Sequence, residues 1–255
     1  MGVASLHALE RAGNAPAAVC LHGWCQSSAY WAPTLDRLAA AGVHGLAPDL
    51  PGFGASASLP GPYTMEGFAD ALARLLDERA LAQVVLVGGS MGGVVAQHVA
   101  LRHPGRLRRL LLVATGAATA DSAAALARAD ALEGAVWDES LVAPVVAGFF
   151  HRSRPPPDLE RYRRIALLAS QAAAVEAARS NARSRTLERL DAIEVPTLIV
   201  QGRHDRVRTP EHGELMRERI TGARLEIVEQ AGHTPQLEDP AAFHEVALPF
   251  VTADR

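Results

Sequence analysis

A serine set between glycines is the residue of this chain best suited to nucleophilic chemistry. Ser90 lies in Gly88-Gly89-Ser90-Met91-Gly92-Gly93 and follows the apolar run 84–87. Four consecutive apolar residues predict a strand buried on both faces, and the residues from 91 to 103 have the apolar spacing of a helix. The sequence therefore predicts that Ser90 occupies a sharp turn between a strand and a helix.

Two glycines explain how the chain can turn so sharply at Ser90. A residue at such an apex has strained φ and ψ angles, and the flanking backbone passes so close that a Cβ at Gly88 or Gly92 would clash. This spacing is the G-x-S-x-G motif, which exposes a serine hydroxyl at the end of a strand. The alternative is a glycine-rich turn with an idle serine, so the rest of the chain must supply a base, an acid and oxyanion donors.

A carboxylate and an imidazole follow two later predicted strands. Asp205 ends the loop Gly202-Arg203-His204-Asp205, and His233 lies in the segment 231–235. The carboxyl ends of strands in a parallel sheet share one edge, where ligand sites lie. An imidazole can accept the proton of a serine, and a carboxylate can orient that imidazole and stabilise its cation. We therefore predict Ser90, Asp205 and His233 as catalytic residues.

The elements that must position these residues alternate as in an α/β fold. Strands are predicted over 3–9, 17–21, 43–47, 84–87, 107–113, 197–201 and 225–228, and helices over 29–41, 65–78, 91–103, 210–220 and 240–251. The alternation stops between 114 and 194, where helical stretches at 121–132, 139–150 and 159–179 surround a break at 155–157. We expect an α/β core over 1–117 and 191–255, with an all-helical cap over 118–190 above the active site.

Composition and charge exclude several classes of function. The 255 residues suit one large domain with an insertion, and a net charge of -3 gives no field to attract nucleic acid or a membrane surface. No run is long enough to span a membrane, and residues 1–18 lack the apolar core of a signal peptide, so we expect a cytoplasmic location. The 25 basic residues are all arginines, and the chain contains no lysine.

Neither a metal nor a cofactor is expected. Cys20 and Cys25 are predicted on opposite sides of a strand-to-loop junction, without the histidine spacing of a zinc site. The string Gly52-Phe53-Gly54-Ala55-Ser56-Ala57 resembles a dinucleotide-binding turn. Such a turn opens directly into a helix, however, and here the segment 58–62 intervenes. We interpret it as a tight turn beside a pocket.

Five motifs together resemble those of the α/β-hydrolase fold, over essentially the whole chain. They are His22-Gly23-Trp24, Asp-Leu-Pro-Gly-Phe-Gly-Ala-Ser at 49–56, Gly-Gly-Ser-Met-Gly-Gly at 88–93, Gly-Arg-His-Asp at 202–205 and Ala-Gly-His-Thr-Pro at 231–235. The chain is similar to small esterases, enol-lactonases, pimeloyl-carrier methyl esterases and non-haem chloroperoxidase-like esterases. The resemblance implies a mostly parallel central sheet flanked by helices, with a helical cap inserted after the strand that follows the nucleophile helix.

The resemblance also implies a role for each matching residue. Ser90 is the nucleophile, His233 the general base and then acid, and Asp205 the acid that orients it. The backbone N–H groups of Trp24 and Met91 form the oxyanion hole. Apart from the resemblance, the candidates for the substrate pocket are Gly23, Cys25, Gly89, His204 and Phe149, of which Cys25 is alternatively a core filler and His204 a bystander.

Several assignments stay open at this point. Asp121 is an alternative triad acid, although Asp205 fits the motif better. Gly89, where relatives often have a larger residue, leaves either room beside the nucleophile or flexibility in the turn. His22 is taken as structural. The other histidines are predicted to lie on the surface or at the rim, among them His98, His103, His204, His212 and His244.

The leading hypothesis is a serine hydrolase that cleaves a carboxylic ester or lactone through an acyl-enzyme. Alternatives are a C–C bond hydrolase or lyase-type enzyme on a biosynthetic or catabolic intermediate, a hydrolase of an acyl ester bound to an acidic carrier protein, and a receptor that binds a small ligand. We expect a monomer or a homodimer. The carrier hypothesis depends on the arginines of the cap, which could bind an acidic protein. The alternative is that they form a solvated surface balanced by Asp158, Glu160 and Glu176. These arginines are Arg152, Arg154, Arg161, Arg163, Arg164, Arg179, Arg183 and Arg185.

Overall fold

Seven strands form a single sheet in the computed structural model, which describes residues 5–119, 121–151 and 158–253. The strands are β1 (Ala8–Arg11), β2 (Asn14–Leu21), β3 (Val43–Pro48), β4 (Val84–Gly89), β5 (Leu107–Val113), β6 (Thr197–Gly202) and β7 (Arg224–Val228). Their order across the sheet is β1-β3-β2-β4-β5-β6-β7. The pair β1–β3 is antiparallel and the other pairs are parallel, as the α/β prediction requires.

Helices cover both faces of this sheet. They are α1 (Ala32–Ala40), α2 (Met65–Glu78), α3 (Met91–Arg102), α4 (Ser122–Glu133), α5 (Glu139–Gly148), α6 (Leu159–Leu167), α7 (Gln171–Arg183), α8 (Pro210–Arg219), α9 (Pro235–Glu238) and α10 (Pro240–Thr252). Within the described residues, no helix is both long and apolar enough to cross a bilayer.

Strand β4 is buried on both faces, which explains its uninterrupted apolar sequence. Val84 and Leu86 belong to the apolar cluster that includes residues of α2 and α3. Val85 and Val87 belong to the cluster on the opposite face, with residues of α1 and α10. Because successive strand side chains point to opposite faces, both sets must be apolar. The predicted strand is confirmed.

The centre of the sheet is a topological switch point. Strand β3 pairs with one edge of β2, and β4 pairs with the opposite edge of β2. In the second pair, Leu21 lies opposite Gly88. Ligands bind at such points, outside the carboxyl ends of the strands. The segment after β2 and the turn after β4 are therefore brought side by side.

Two predicted elements differ from the structure. The first strand is Ala8–Arg11, not 3–9; it pairs with Gly45–Pro48, and residues 1–4 lie outside the described residues. The helix predicted over 159–179 is two helices, because Ser170 caps α7 through a bond from the Ala173 N–H to its Oγ. The Ser170 N–H donates to the Gly52 carbonyl oxygen at 2.9 Å, which anchors this break to the core.

Helices α4 to α7 lie between β5 and β6, as the predicted cap does. We refer to the segment from α4 to α7 as the cap. Within it, α4 packs against α7 and α5 packs against α6. Two further bonds join α7 to the core: the Trp24 indole N–H donates to the Ala174 carbonyl oxygen at 2.8 Å, and the Met65 N–H donates to Ser180 Oγ at 3.0 Å. The predicted break at 155–157 falls outside the described residues. The limits 118 and 190 of a separate cap stay a prediction.

Candidate active site

Ser90 lies at the turn between β4 and α3 with φ 51° and ψ -118°. A Cβ on Gly88 would lie 2.4 Å from the Gly92 carbonyl oxygen, and one on Gly92 would lie 2.4 Å from the Leu21 carbonyl oxygen. Both distances are far inside van der Waals contact, so the predicted need for glycine is confirmed. The Ser90 N–H donates to the Val113 carbonyl oxygen at 2.9 Å, which links the turn to the end of β5.

The structure brings Ser90, His233 and Asp205 together in one hydrogen-bonded chain. Ser90 Oγ lies 2.8 Å from His233 Nε2, and His233 Nδ1 lies 2.8 Å from Asp205 Oδ2. The side chains of His233 and Asp205 are 1% and 0% exposed. Since Nδ1 donates to the carboxylate, Nε2 is free to accept the serine proton. This is the arrangement that a hydroxyl nucleophile, a base and an orienting acid require.

The second oxygen of Asp205 is held by the backbone of its own loop. Asp205 Oδ1 accepts the N–H groups of Val207 at 2.7 Å and Arg208 at 2.8 Å. The Asp205 carboxylate is therefore fixed in position before any ligand binds.

A buried histidine shapes the segment after β2. His22 Nδ1 donates to the Gly23 carbonyl oxygen at 2.8 Å, and the Leu50 N–H donates to His22 Nε2 at 3.0 Å. This pattern requires the neutral ring, and burial lowers the pKa of His22 more than the nearby Asp49 raises it. The Gly23 N–H donates to Gln26 Oε1 at 2.8 Å.

The two backbone N–H groups predicted to form the oxyanion hole belong to residues that line the cavity of Ser90. Trp24 and Met91 line the same cavity as Ser90, and a Cβ on Gly23 would lie 3.2 Å from the Ser90 Cβ. Met91 is the first residue of α3, where an N–H has no intrahelical acceptor. Among the described residues, no acceptor is bound to either N–H.

A cavity of about 540 Å³ opens between Ser90 and the cap. Its volume is typical of small-molecule sites, at roughly 300–1,000 Å³. Phe149 lines it, with its ring centroid 5.8 Å from that of His233. Most of the wall is apolar, and its polar side chains besides Ser90 are Thr119, Arg128, Asn181 and Arg208.

The other pocket candidates lie elsewhere. Gly23 faces Ser90 but is not part of the cavity wall, and the buried Cys25 borders a separate space of about 10 Å³ beside Trp24 and Trp137. A Cβ on Gly89 would lie 3.0 Å from the Trp31 ring. The absence of a side chain at Gly89 therefore lets the Trp31 ring pack in the core and does not enlarge the substrate cavity. His204 is exposed and stacks on His151, with ring centroids 4.3 Å apart.

Two further predictions require correction or reassignment. Asp121 is exposed and caps α4 by accepting the Ala124 N–H at 2.9 Å, whereas the carboxylate that contacts His233 is that of Asp205. His98 and His244 are 8% and 4% exposed, contrary to the predicted surface positions. His98 Nε2 contacts Ser184 Oγ and His244 Nε2 contacts Thr34 Oγ1.

Four residues that support the site were not predicted from the sequence. Thr115 Oγ1 donates to the Ser90 carbonyl oxygen at 2.6 Å, and Gln26 holds the Gly23 N–H. Glu238 accepts bonds from the loop of His233, and Arg208 lines the cavity. Only Arg208 had a signal in the sequence, as an arginine three residues after the predicted acid.

The family is decided by comparison with known proteins. The model of the α/β hydrolase fold family matches residues 16–240. This chain belongs to the α/β-hydrolase fold family. Similar proteins include the pimeloyl-[acyl-carrier protein] methyl ester esterase of Neisseria meningitidis serogroup B strain MC58, 33% identical over 253 residues that cover 91% of each chain. The enzyme of the same name from Aeromonas hydrophila is 32% identical over 272 residues, covering 95% of this chain and 98% of the relative.

Solved structures agree with this assignment. A hydrolase from Pseudomonas aeruginosa PA01 superposes with a TM-score of 0.89 and 29% identity, covering 96% of this chain and 94% of that one. The enol-lactonase from Burkholderia xenovorans LB400 superposes with a TM-score of 0.90 and 26% identity, covering 97% and 96%. The chain is thus an α/β hydrolase with esterases and a lactonase among its relatives, as the resemblance implied.

The cap arginines of this hydrolase are partly neutralised. Arg179 pairs with Asp130 and Glu133, and its pKa is raised first by the Glu133 bond and then by the Asp130 bond. Arg163 and Arg164 both pair with Glu160. Arg152 and Arg154 lie outside the described residues. In the remainder of the chain, no cluster of three or more His, Cys, Asp or Glu side chains could hold a metal ion.

Proposed function

We propose that this hydrolase cleaves a carboxylic ester or lactone through an acyl-enzyme formed on Ser90. The observation that carries the proposal is the unbroken chain of two 2.8 Å hydrogen bonds from Ser90 Oγ through His233 to Asp205. The esterases and the lactonase among its relatives support the same class of substrate.

In the first half of the reaction, Ser90 Oγ attacks the ester carbonyl carbon as its proton passes to His233 Nε2. The negative charge that develops on the carbonyl oxygen is bound by the N–H groups of Trp24 and Met91. Such a donor contributes about 3–4 kcal/mol to the transition state because the charge is present only there. Collapse of the tetrahedral intermediate breaks the C–O bond, and the proton on His233 goes to the departing alcohol oxygen.

The second half repeats these steps with water. His233 Nε2 takes a proton as the water oxygen attacks the acyl carbon, and it returns that proton to Ser90 Oγ when the acid leaves. Asp205 orients the imidazole and stabilises the imidazolium. For a lactone, the released alcohol and acid are parts of one molecule.

The test is hydrolysis of p-nitrophenyl acetate and butyrate by the wild type and by Ser90→Ala. Loss of the nucleophile is expected to lower kcat by about 10⁶-fold, the order measured for serine hydrolases. A fluorophosphonate should add covalently to the wild type and not to the variant. Wild-type turnover at the level of Ser90→Ala, with no adduct, would overturn the proposal.

A carrier-bound acyl ester is a second candidate substrate, because two of the relatives are named as esterases of pimeloyl-[acyl-carrier protein] methyl ester. Arg183 and Arg189 form no ion pair with the described residues and border an open cleft of about 490 Å³ along α7. Binding to an acidic carrier protein should then weaken steeply as salt is raised, since such contacts are screened within about 10 Å at 0.1 M. Binding that is insensitive to salt would contradict this candidate.

We take the setting to be cytoplasmic, with two free thiols, and the protein to be a monomer or homodimer. Cleavage of a C–C bond by the same residues stays a prediction for a metabolite screen.

A further inference from the structure

Arg208 is a positive charge inside the Ser90 cavity without an acidic partner. Its side chain lines the cavity together with Thr119, and the residue is half-buried. The one hydrogen bond of its guanidinium is long, from Nη1 to the Ala118 carbonyl oxygen at 3.4 Å. Among the described residues, no carboxylate oxygen lies within 4.0 Å of it.

Asp205, whose charge acts on Arg208, already has other partners. Asp205 already accepts three bonds, from His233 and from the N–H groups of Val207 and Arg208 itself. Burial lowers the pKa of Arg208 more than the charge of Asp205 raises it. A partly buried cation without a counterion is unfavourable, so a ligand that supplies an anion gains from binding here.

A second polar group in the wall also lacks a partner. Asn181 Oδ1 is buried and accepts no hydrogen bond from the described residues. The wall around it is apolar, with Leu132, Val145 and Phe149 among its residues. The cavity therefore offers an apolar surface for a hydrocarbon chain, together with the guanidinium of Arg208 and the side-chain amide of Asn181.

We propose that the natural substrate is an ester or lactone that carries a carboxylate, separated from the scissile bond by a hydrocarbon segment and bound by Arg208. A guanidinium pairs with a carboxylate through two parallel N–H bonds, which fixes orientation as well as charge. Arg128, exposed on α4 at the cavity wall, adds a second positive charge for the approaching substrate. This inference rests on the proposed function and names its substrate class.

The loop geometry makes Arg208 a specificity residue tied to the catalytic acid. Its backbone N–H holds Asp205 Oδ1, while its side chain lines the cavity. A substitution that keeps the backbone leaves the Asp205 bond in place and changes the charge that the substrate meets.

The test compares p-nitrophenyl hydrogen adipate with p-nitrophenyl hexanoate, two esters with six-carbon acyl chains of which only the first has a free carboxylate. A second pair, 4-carboxyphenyl and phenyl butyrate, places the carboxylate on the leaving group. In the wild type, kcat/KM for at least one anionic ester should exceed that of its neutral partner by about 10- to 100-fold. Arg208→Met should reduce this ratio at least tenfold, and Arg208→Lys should retain part of it.

Arg206→Met is the matched control, because Arg206 is exposed on the same loop and does not line the cavity. It removes the same charge and should keep the wild-type ratio. The inference is overturned if, in the wild type, kcat/KM of the anionic ester does not exceed that of the neutral ester in either pair. This outcome needs no variant, so a folding defect in Arg208→Met does not weaken the test. Neutral esters turned over through Ser90 would then still support the proposed function, whereas no turnover of any ester above Ser90→Ala overturns both.

Discussion

The carboxylate of Glu238 lies 2.8 Å from the backbone nitrogen of Thr234, the residue that follows His233. The same carboxylate accepts the Thr234 hydroxyl at 2.9 Å and the N–H groups of Gly232 at 2.9 Å and His151 at 2.7 Å. Four donors therefore converge on one side chain. Three of them belong to the loop that presents His233, and the fourth belongs to the cap.

Replacing Glu238 should misplace His233 without removing a reacting group. Glu238→Gln puts an amide N–H₂ against backbone donors, so we expect kcat for p-nitrophenyl butyrate to fall about 10- to 100-fold, the effect of a shift near 1 Å. The free energy of unfolding should fall by about 1–3 kcal/mol. Steady-state kinetics and urea unfolding measure the two effects.

Glu229→Gln is the control for this change. Glu229 pairs with Arg203 on the surface, where solvent screens the ion pair and its contribution to stability is small. Its loss should leave kcat at the wild-type value. If Glu238→Gln also has wild-type kcat, the loop of His233 is held by other contacts.

Gly89→Ala should reduce stability and not change substrate choice. The added Cβ would lie 3.0 Å from the ring of Trp31, which is 1% exposed. Overpacking of this kind costs about 1–3 kcal/mol in the free energy of unfolding. The ratio of kcat/KM for the butyrate and acetate esters should stay as in the wild type. Gly105→Ala, where a Cβ meets open space, is the control, and a changed ratio in Gly89→Ala would return Gly89 to the pocket.

His244 should make the protein less stable in mild acid. Its pKa is lowered first by burial and then by the charge of Arg37. Near pH 8 the ring is neutral in both states. As the pH falls through about 6.5, the unfolded chain takes up the proton first, so the free energy of unfolding decreases until the folded ring also titrates.

His244→Gln removes this contribution. Urea unfolding between pH 8 and pH 5 should show a smaller loss of stability in the variant, whereas the two curves should run parallel above pH 7.5. His22, His98 and His212 have pKa values lowered mainly by burial as well, so part of the acid sensitivity should persist. Identical pH profiles would show that His244 titrates alike in the folded and unfolded chains.

Elements with strong local signals were predictable from the sequence. The strand of β4 and the helix 65–78 are found where the apolar pattern places them, and Thr64 caps that helix by accepting the Gly67 N–H. The edge strand β1 was misplaced because its pairing depends on β3, not on its own short pattern. The break before α7 required the contact of Ser170 with Gly52, which lies far away in the chain.

The site was predictable only as far as its motifs extend. Ser90, Asp205 and His233 follow strands, and the sheet alone brings them to one edge. The side chains that complete the cavity come from the cap and from loops, so their positions depend on tertiary packing. His98 was predicted at the surface for the same reason, since Ser184, after α7, covers it.

The indole of Trp24 hydrogen-bonds to helix α7 of the cap, and it belongs to the segment that is proposed to supply one oxyanion donor. Because Ala178 of α7 lines the cavity, a substrate too large for it would press on α7 and strain that bond. Bulky esters should therefore still bind but react slowly, with the penalty in kcat and little change in KM. Substrate size is then expected to affect the rate of acylation, which a series of p-nitrophenyl esters of increasing acyl size would measure.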